Sequence, residues 1–253
     1  MVRLPISGLR AQWRPSDGHD DIAVADTAPG LAGALVYASR RVDVDAAALP
    51  IGDLDLLVVA GRRELRGDTL VAEGHCQQCA ARVDVQFSLA AYAEHRRPRA
   101  SRAALPSSDG WFALRVAPEV LFRPPTVADV LAAADAADAR AALLDRCTRG
   151  RLTSRLVRRL EAALASVAPT LRADVVGTCP ECSAVVVLDT DVRELCMAEL
   201  RFLAASVYDD VNLLASVYRW TQDAILDLPS ARRRRYADMI SGRSPAELGV
   251  TVA

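Results

Sequence analysis

Two Cys-x-x-Cys turns carry the residue types and spacing in this chain that could do chemistry. The first turn is Cys76-Gln-Gln-Cys79, and the second, 103 residues later, is Cys179-Pro-Glu-Cys182. Such a turn presents two thiolates from one tight loop, whereas a structural zinc site needs four ligands in a tetrahedron. Each turn therefore supplies half of a site, and we predict that the four cysteines bind one zinc ion together.

A site of four thiolates has no open position for water or substrate, so the predicted zinc ion is structural. On the precedent of zinc-finger peptides it would contribute about 10 kcal/mol or more to folding. Ala80 and Ser183 stand where a glycine often follows the second cysteine, so cysteines that no longer bind metal remain an alternative. A redox-active pair is a second alternative, but it needs the start of a helix after the turn, and strand-like stretches follow both turns.

The sequence around each turn predicts a β-hairpin. After the first turn, Val83, Val85 and Phe87 alternate with polar residues, which is typical of a half-buried strand. The stretches LRADVVGTC and AVVVLD flank the second turn in the same way. The 99 residues from 80 to 178 would then form an insertion between the two halves of one split zinc ribbon.

Apolar periodicity and capping residues predict helices through the rest of the chain. The predicted helices are 29–42, one that begins at an Asp53 cap, one capped by Thr126, 152–167, about 200–218, and two short helices capped by Thr221 and Ser230, the last ending near Gly242. Residues 91–110 lack periodicity and are predicted to be an exposed loop. Cys147 and Cys196 fall in helical segments and are predicted to be small core residues.

These elements predict an α+β fold that is mostly helical, with two β-hairpin Cys-x-x-Cys knuckles that form one split zinc ribbon, and a C-terminal helical bundle. The predicted organisation is an N-terminal arm over residues 1–28, helices and knuckles over 29–190 with an insertion at 91–170, a C-terminal helical region over 191–242, and a tail over 243–253. The arm and the tail are expected to become ordered only on binding.

Composition excludes several kinds of enzyme. All 31 basic residues are arginine, so the chain has no phosphate-loop lysine, Schiff base or lysine general base. It has three histidines and none of the common hydrolase or dinucleotide-binding motifs, and we expect no catalytic residues. Six cysteines are sparse for a disulfide framework, and no apolar run approaches the roughly 20 residues that span a bilayer, so a cytoplasmic protein is expected. The net charge of −1 argues against a nucleic-acid partner.

The order of motifs after the second turn resembles the C-terminal half of the baseplate hub-assembly family of contractile-tailed phages, whose relatives are encoded with bacterial contractile injection systems. In that family a Cys-x-x-Cys knuckle precedes a long helix, a tyrosine-x-tryptophan turn, an isoleucine-leucine pair and a double arginine leading to tyrosine. The matching residues here are Tyr218, Trp220, Ile225, Leu226, Arg234 or its neighbours, and Tyr236. Upstream, LPIGDLDLLVVAGRRELRGD, FRPPTVADV and ALLDRC follow in the family's order, so the resemblance covers roughly residues 30 to 242. Asn212 departs from the pattern, since relatives tend to carry histidine there.

The resemblance implies a non-enzymatic structural or assembly component of a baseplate, with baseplate, spike or sheath subunits as partners. The candidate partner-binding residues are Trp220, Arg232, Arg233, Arg234, Arg235 and Tyr236. Arginine and aromatic side chains are favoured in protein interfaces. Two alternatives are open: the arginines face water or pair with Asp209, Asp210, Asp227 or Asp238, and the aromatic rings belong to the core.

Two further functional classes remain to be distinguished. A zinc-ribbon regulator that binds nucleic acid is supported by the basic stretch HRRPRASR at residues 95–102 and by the arginine run. A metallohydrolase would need an open zinc coordination position with a base beside it, and no such base is visible in the sequence.

Overall fold

The computed structural model describes residues 1–242 and has an α+β fold in which about half of the chain is helical. The predicted tail at residues 243–253 lies outside the described residues. The α-helices of the described part are α1 (Gly18–Ala25), α2 (Leu31–Arg41), α3 (Ile51–Arg66), α4 (Leu89–His95), α5 (Val127–Ala134), α6 (Ala139–Cys147), α7 (Ser154–Val167), α8 (Val192–Tyr218), α9 (Gln222–Leu226) and α10 (Ser230–Ser241).

The strands form small antiparallel sheets. They are β1 (Val2–Arg3), β2 (Arg10–Ala11), β3 (Thr69–His75), β4 (Arg82–Ser88), β5 (Ala104–Pro106), β6 (Phe112–Leu114), β7 (Ala117–Phe122), β8 (Thr148–Arg149), β9 (Arg172–Thr178) and β10 (Val185–Asp191). Strands β1 and β2, β3 and β4, and β9 and β10 pair as separate two-stranded sheets, while β5 to β8 form a four-stranded sheet in chain order. The two hairpins predicted around the Cys-x-x-Cys turns are therefore confirmed.

A helix–hairpin–helix unit occurs twice in the chain, at a constant offset. The first unit is α3, β3, β4 and α4, and the second is α7, β9, β10 and α8; corresponding elements begin 103 residues apart in every case. Ser88 and Asp191 are the equivalent caps of α4 and α8, and their side chains accept backbone N–H groups three residues on. The similarity between the two turns is thus part of a longer repeat.

The main core lies between α1, α2, α3 and the long helix α8. Helix α8 was predicted from a stripe that begins at Leu200, and Leu200, Val207 and Leu214 are buried as that pattern requires. The stripe does not extend to the end of the helix, because Tyr218 is 39% exposed. Helix α8 contacts α1 near the N-terminus as well as α9 and α10, which follow it in the chain.

The N-terminal segment differs from the predicted arm. Leu4 is fully buried and Val24 nearly so, and α1 lies against α8. The Asp53 carboxylate accepts the backbone N–H groups of Ile6 at 3.0 Å and Ser7 at 2.7 Å. Asp53 therefore anchors the N-terminal hairpin and does not cap α3, which begins at Ile51 after Pro50.

The inserted segment has a hydrophobic core of its own, in which α7 covers one face of the sheet β5 to β8. Thr126 caps α5 as predicted, with a reciprocal bond between Thr126 and Asp129. The stretch predicted as one loop at 91–110 instead contains the end of α4 and strand β5. Short elements of this length have too few residues to show a periodic pattern.

The C-terminal region packs α9 and α10 against α8 and α1. Thr221 caps α9 as predicted, since its side chain accepts the N–H of Ala224. Ser230 is not a cap; it is the first residue of α10, and its hydroxyl donates to the Asp17 carbonyl oxygen. Helix α10 ends at Gly242 in the left-handed conformation, as predicted.

Candidate metal centre

Each Cys-x-x-Cys turn closes with the same two backbone hydrogen bonds. In the first turn the N–H of Cys76 donates to the carbonyl oxygen of Ala81 at 2.8 Å, and the N–H of Ala80 donates to the carbonyl oxygen of Cys76 at 2.9 Å. The second turn makes the equivalent bonds at 2.9 Å each, from Cys179 to Ala184 and from Ser183 to Cys179. The two knuckles are therefore the same local structure built from different sequences.

The residue after the second cysteine has a left-handed backbone in both knuckles. Ala80 has φ of 59° and Ser183 has φ of 61°. This conformation costs a residue with a side chain roughly 1–2 kcal/mol, whereas glycine adopts it freely. The geometry explains why glycine is common at this position of such turns, and it shows that alanine and serine fit there without loss of a ligand.

We expect Ala80→Gly and Ser183→Gly each to stabilise the protein by about 0.5–1 kcal/mol, since removal of the side chain relieves more strain than the added chain entropy costs. Urea unfolding of the full-length protein measures the change. Ala81→Gly is the matched control: Ala81 does not have a positive φ, so this change should destabilise the fold by a similar amount. Destabilisation by Ala80→Gly as large as that by Ala81→Gly would contradict the strain that we infer for the left-handed backbone at Ala80.

Two glycines let the hairpins approach each other. A Cβ atom on Gly74 would lie 2.4 Å from Leu188, and one on Gly177 would lie 2.5 Å from Val85, so neither position has room for a side chain unless its neighbour moves. Each glycine stands two residues before the first cysteine of its knuckle. The repeated Gly-x-Cys-x-x-Cys is a sequence signal for this close approach that the hairpin prediction did not use.

The four cysteine sulfurs converge on one point. Cys76 Sγ lies 3.6 Å from Cys182 Sγ, and Cys79 Sγ lies 3.6 Å from Cys179 Sγ. All four sulfurs lie within 4.8 Å of one another. A tetrahedral zinc ion with Zn–S bonds of about 2.3 Å requires S–S distances of about 3.8 Å. The cluster therefore has the ligand number and spacing to hold a metal ion.

The knuckle backbone favours ionised sulfur at Cys76. The N–H groups of Cys79 and Gln78 point to its Sγ and lower the pKa of this thiol to about 6. The N–H of Ala184 acts in the same direction on Cys182, but the neighbouring sulfurs outweigh it and raise the pKa of Cys182 to about 12. Four thiolates this close together repel one another, so the cluster favours a cation that neutralises their charge.

The other cysteines and His75 lie apart from the cluster. Cys147 and Cys196 are buried, as predicted, and burial raises the pKa of their thiols to about 11 and about 12. His75 is exposed at the end of β3 and is not among the clustered side chains. Strands and not helices follow both knuckles, so neither pair has the helix N-terminus that redox-active pairs use.

The predicted partner-binding residues Trp220 and Tyr236 form an aromatic cluster with Tyr218. The Tyr218 and Trp220 rings stack with centroids 4.9 Å apart, and Tyr236 meets the Trp220 ring edge-on at 5.6 Å. Tyr218 and Trp220 are 39% and 38% exposed and Tyr236 is partly buried, so these rings lie at the surface and are not fully buried core residues. The cluster lies where α8 ends at Arg219 in the left-handed conformation.

The predicted arginine run divides into buried and exposed members. Arg232 and Arg235 are exposed and Arg234 is partly exposed, but Arg233 is fully buried. Arg233 donates to Asp21 at 2.6 Å and to Asp210 at 2.9 Å. The prediction that Arg233 contacts a partner is therefore wrong, and the alternative pairing with Asp210 is confirmed for this residue. Arg234 also lies 3.7 Å from Asp21.

Comparison with known proteins gives no match: no family model, no curated protein and no solved structure matches this chain. Within residues 1–242, none of the helices combines the length and the apolar character needed to cross a membrane. Any functional assignment therefore depends on the cysteine cluster, on the exposed surfaces and on the order of sequence motifs.

Proposed function

We propose that the protein is a non-enzymatic structural or assembly component of the baseplate of a phage-tail-like contractile injection system. The observation that carries this proposal is the pair of knuckles that meet across 99 residues of chain, in a sequence whose later motifs follow the order of the baseplate hub-assembly family. The partners in this proposal are baseplate, spike or sheath subunits.

The cysteine cluster in this proposal is one split zinc ribbon with a single structural zinc ion. Sulfur ligands favour zinc over harder ions such as magnesium or calcium. Since all four positions would be filled by Cys76, Cys79, Cys179 and Cys182, no coordination site is left for substrate or for an activated water molecule. A role in assembly, and not in catalysis, fits a closed site of this kind.

The partner surface in this proposal is the exposed aromatic cluster at the end of α8 together with the exposed arginines of α10. Trp220 and Tyr236 offer large amphipathic rings, and Arg232 and Arg235 offer planar donor groups beside them. Interfaces are enriched in these residue types, and a few of them carry most of the binding energy. Arg233 contributes indirectly, because its buried ion pairs fix helix α10 against α8 and α1.

Affinity purification of the tagged full chain from cells that produce a contractile injection machine tests the proposal. We expect baseplate, spike or sheath subunits to be recovered with the wild type, and recovery to fall by about tenfold or more for Trp220→Ala with Arg235→Ala, as is usual for truncated hot-spot residues. Phe202→Ala is the matched control, since Phe202 is an aromatic residue on α8 that is 76% exposed and outside the cluster.

Two outcomes would contradict this function. Recovery of no machine subunit with the wild type would remove the baseplate proposal. A salt-sensitive shift of DNA mobility by the purified protein would support the alternative, a zinc-ribbon regulator that binds nucleic acid.

A further inference from the structure

The central part of the predicted insertion, residues 99–167, carries a net charge opposite in sign to that of the rest of the chain. Residues 99–167 contain 11 arginines and 7 acidic residues, a net charge of +4, whereas the remaining residues contain 20 arginines and 25 acidic residues, a net charge of −5. The net charge of −1 for the whole chain is therefore the sum of two regions of opposite sign. A basic region confined to one segment produces a local positive field even when the whole protein is nearly neutral.

Part of this segment also has a hydrophobic core of its own. Helix α7 and the sheet β5 to β8 share a core that includes Phe122, Leu114 and Leu160. The two ends of the segment are tied together, because the N–H of Arg99 donates to the Ser166 carbonyl at 2.8 Å. The positive charge is therefore held on a defined surface.

Among the residues that the structure describes, most of these arginines have no acidic partner. Arg123 and Arg146 pair with Asp129, and Arg140 pairs with Glu161. In the part of the chain that the structure describes, the other eight have no carboxylate within 4.0 Å. They are Arg99, Arg102, Arg115, Arg149, Arg151, Arg155, Arg158 and Arg159. All eight are exposed, so they can make ion pairs with another molecule.

Helix α7 concentrates this charge on one face. Its inner face buries Leu160, Ala163 and Val167 against the sheet, while Arg155, Arg158 and Arg159 are exposed on the outer side. The exposed side continues along the helix through Ala162 and Ala165, whose small side chains permit close approach of a second backbone. The arginines lie in the first half of the helix, where the helix dipole adds further positive potential.

We propose that the outer face of α7 is a docking site for an acidic amphipathic α-helix of a partner protein. Carboxylates of such a helix would pair with Arg155, Arg158 and Arg159, and its small or apolar residues would pack on Ala162 and Ala165. Arginine is suited to this contact because its planar head bonds carboxylates with two parallel donors. The inference does not depend on the baseplate proposal, since it concerns only the chemistry of the surface that α7 would bind.

A protein helix fits the surface better than a nucleic acid does. Surfaces that bind single-stranded nucleic acid combine basic groups with aromatic rings that are free to stack on bases. Here the indole of Trp111 is covered by the guanidinium of Arg149 at 4.1 Å, with Arg123 at 5.8 Å. The acidic remainder of the chain also repels a long polyanion, whereas a short acidic helix can contact the segment alone.

Fluorescence anisotropy with three labelled probes tests the proposal on the full-length protein. The first probe is a 20-residue helical peptide with glutamates along one face and alanines beside them. The second has the same composition with its glutamates distributed around the helix, and the third is a 20-nucleotide single-stranded DNA. We expect the first peptide to bind about tenfold more tightly than the second at 50 mM salt, and binding to weaken as salt is raised.

Charge reversal on two surfaces locates the binding site. The variant Arg155→Glu, Arg158→Glu, Arg159→Glu should lose at least about tenfold in affinity for the first peptide. The matched control Arg99→Glu, Arg102→Glu, Arg115→Glu changes the net charge equally within the same segment and should lose less than about threefold. All six side chains are exposed, so both variants should melt close to the wild type.

Three outcomes would overturn the proposal: no binding of the first peptide, equal loss in the two variants, or tighter binding of the DNA than of the first peptide. The last would identify the segment as a nucleic-acid surface. Failure of peptide binding is distinguishable from failure of the baseplate proposal, because recovery of machine subunits is measured separately.

Discussion

Purified wild-type protein is expected to contain close to one equivalent of zinc, and the Cys76→Ser, Cys179→Ser variant is expected to contain none and to aggregate. The reason is geometric, since sulfurs from both knuckles lie within 4.8 Å of one another and one ion can bridge them. Structural zinc sites contribute about 10 kcal/mol or more to folding. That amount is comparable with the whole stability of a typical domain, about 5–15 kcal/mol.

Elemental analysis of the purified protein, with circular dichroism before and after a chelator, measures this effect. Cys147→Ala is the matched control, because Cys147 is a buried cysteine outside the cluster and should leave one equivalent of zinc in place. Two equivalents in the wild type would mean that the knuckles do not share an ion. A metal-free wild type with an unchanged melting temperature would support the alternative of cysteines that no longer bind metal.

The second large effect is expected at Arg233. Replacement by methionine keeps an unbranched side chain but removes the only ion pair described for the Asp210 carboxylate and the shorter ion pair of Asp21, which then keeps only Arg234 at 3.7 Å. Loss of one member of a buried ion pair typically costs about 3–5 kcal/mol. We therefore expect Arg233→Met to destabilise the protein by about that amount in urea unfolding, while Arg232→Met, on the exposed side of the same helix, should change stability by less than about 0.5 kcal/mol.

The pH dependence of this variant follows from the buried carboxylates. Burial raises the pKa of Asp210 even with Arg233 present, and without Arg233 a larger rise is expected. A carboxyl group whose folded-state pKa is raised loses stability as pH rises through that pKa, so the destabilisation should be largest at neutral pH and smaller in acid. Adding Asp21→Asn and Asp210→Asn should restore part of the loss. A variant within 1 kcal/mol of the wild type at neutral pH would contradict the role given to Arg233.

The hairpins and the cysteine cluster could be predicted because their signals are local. Alternating apolar residues define each strand, and Cys-x-x-Cys places two sulfurs in one turn, so the sequence indicates two halves of one site. The sequence predicts that the two halves meet, but not how the hairpins approach each other. That depends on Gly74 and Gly177, which remove side chains at the point where the hairpins cross.

Other features could not be predicted because they depend on residues far apart in the chain. The four consecutive arginines from 232 to 235 look alike locally, and the one that is buried is determined by Asp21, which lies 212 residues earlier. The N-terminal hairpin has no periodic apolar pattern, yet Asp53 holds it through its backbone N–H groups. In both cases a buried carboxylate, and not hydrophobic periodicity, determines the structure.

The repeated helix–hairpin–helix unit gives one chain the internal arrangement of a symmetric dimer. The contacts are reciprocal: Cys76 faces Cys182 as Cys179 faces Cys79, and Gly74 meets Leu188 as Gly177 meets Val85. Two identical subunits would have to present identical outer surfaces on either side of that centre. A single chain is free of this constraint, and the outer faces of the two hairpins differ. Where the first hairpin pairs Glu73 with Arg82, the second exposes Val176 and Val185 at the equivalent positions. A neighbouring molecule can therefore bind one hairpin of the cysteine cluster in preference to the other.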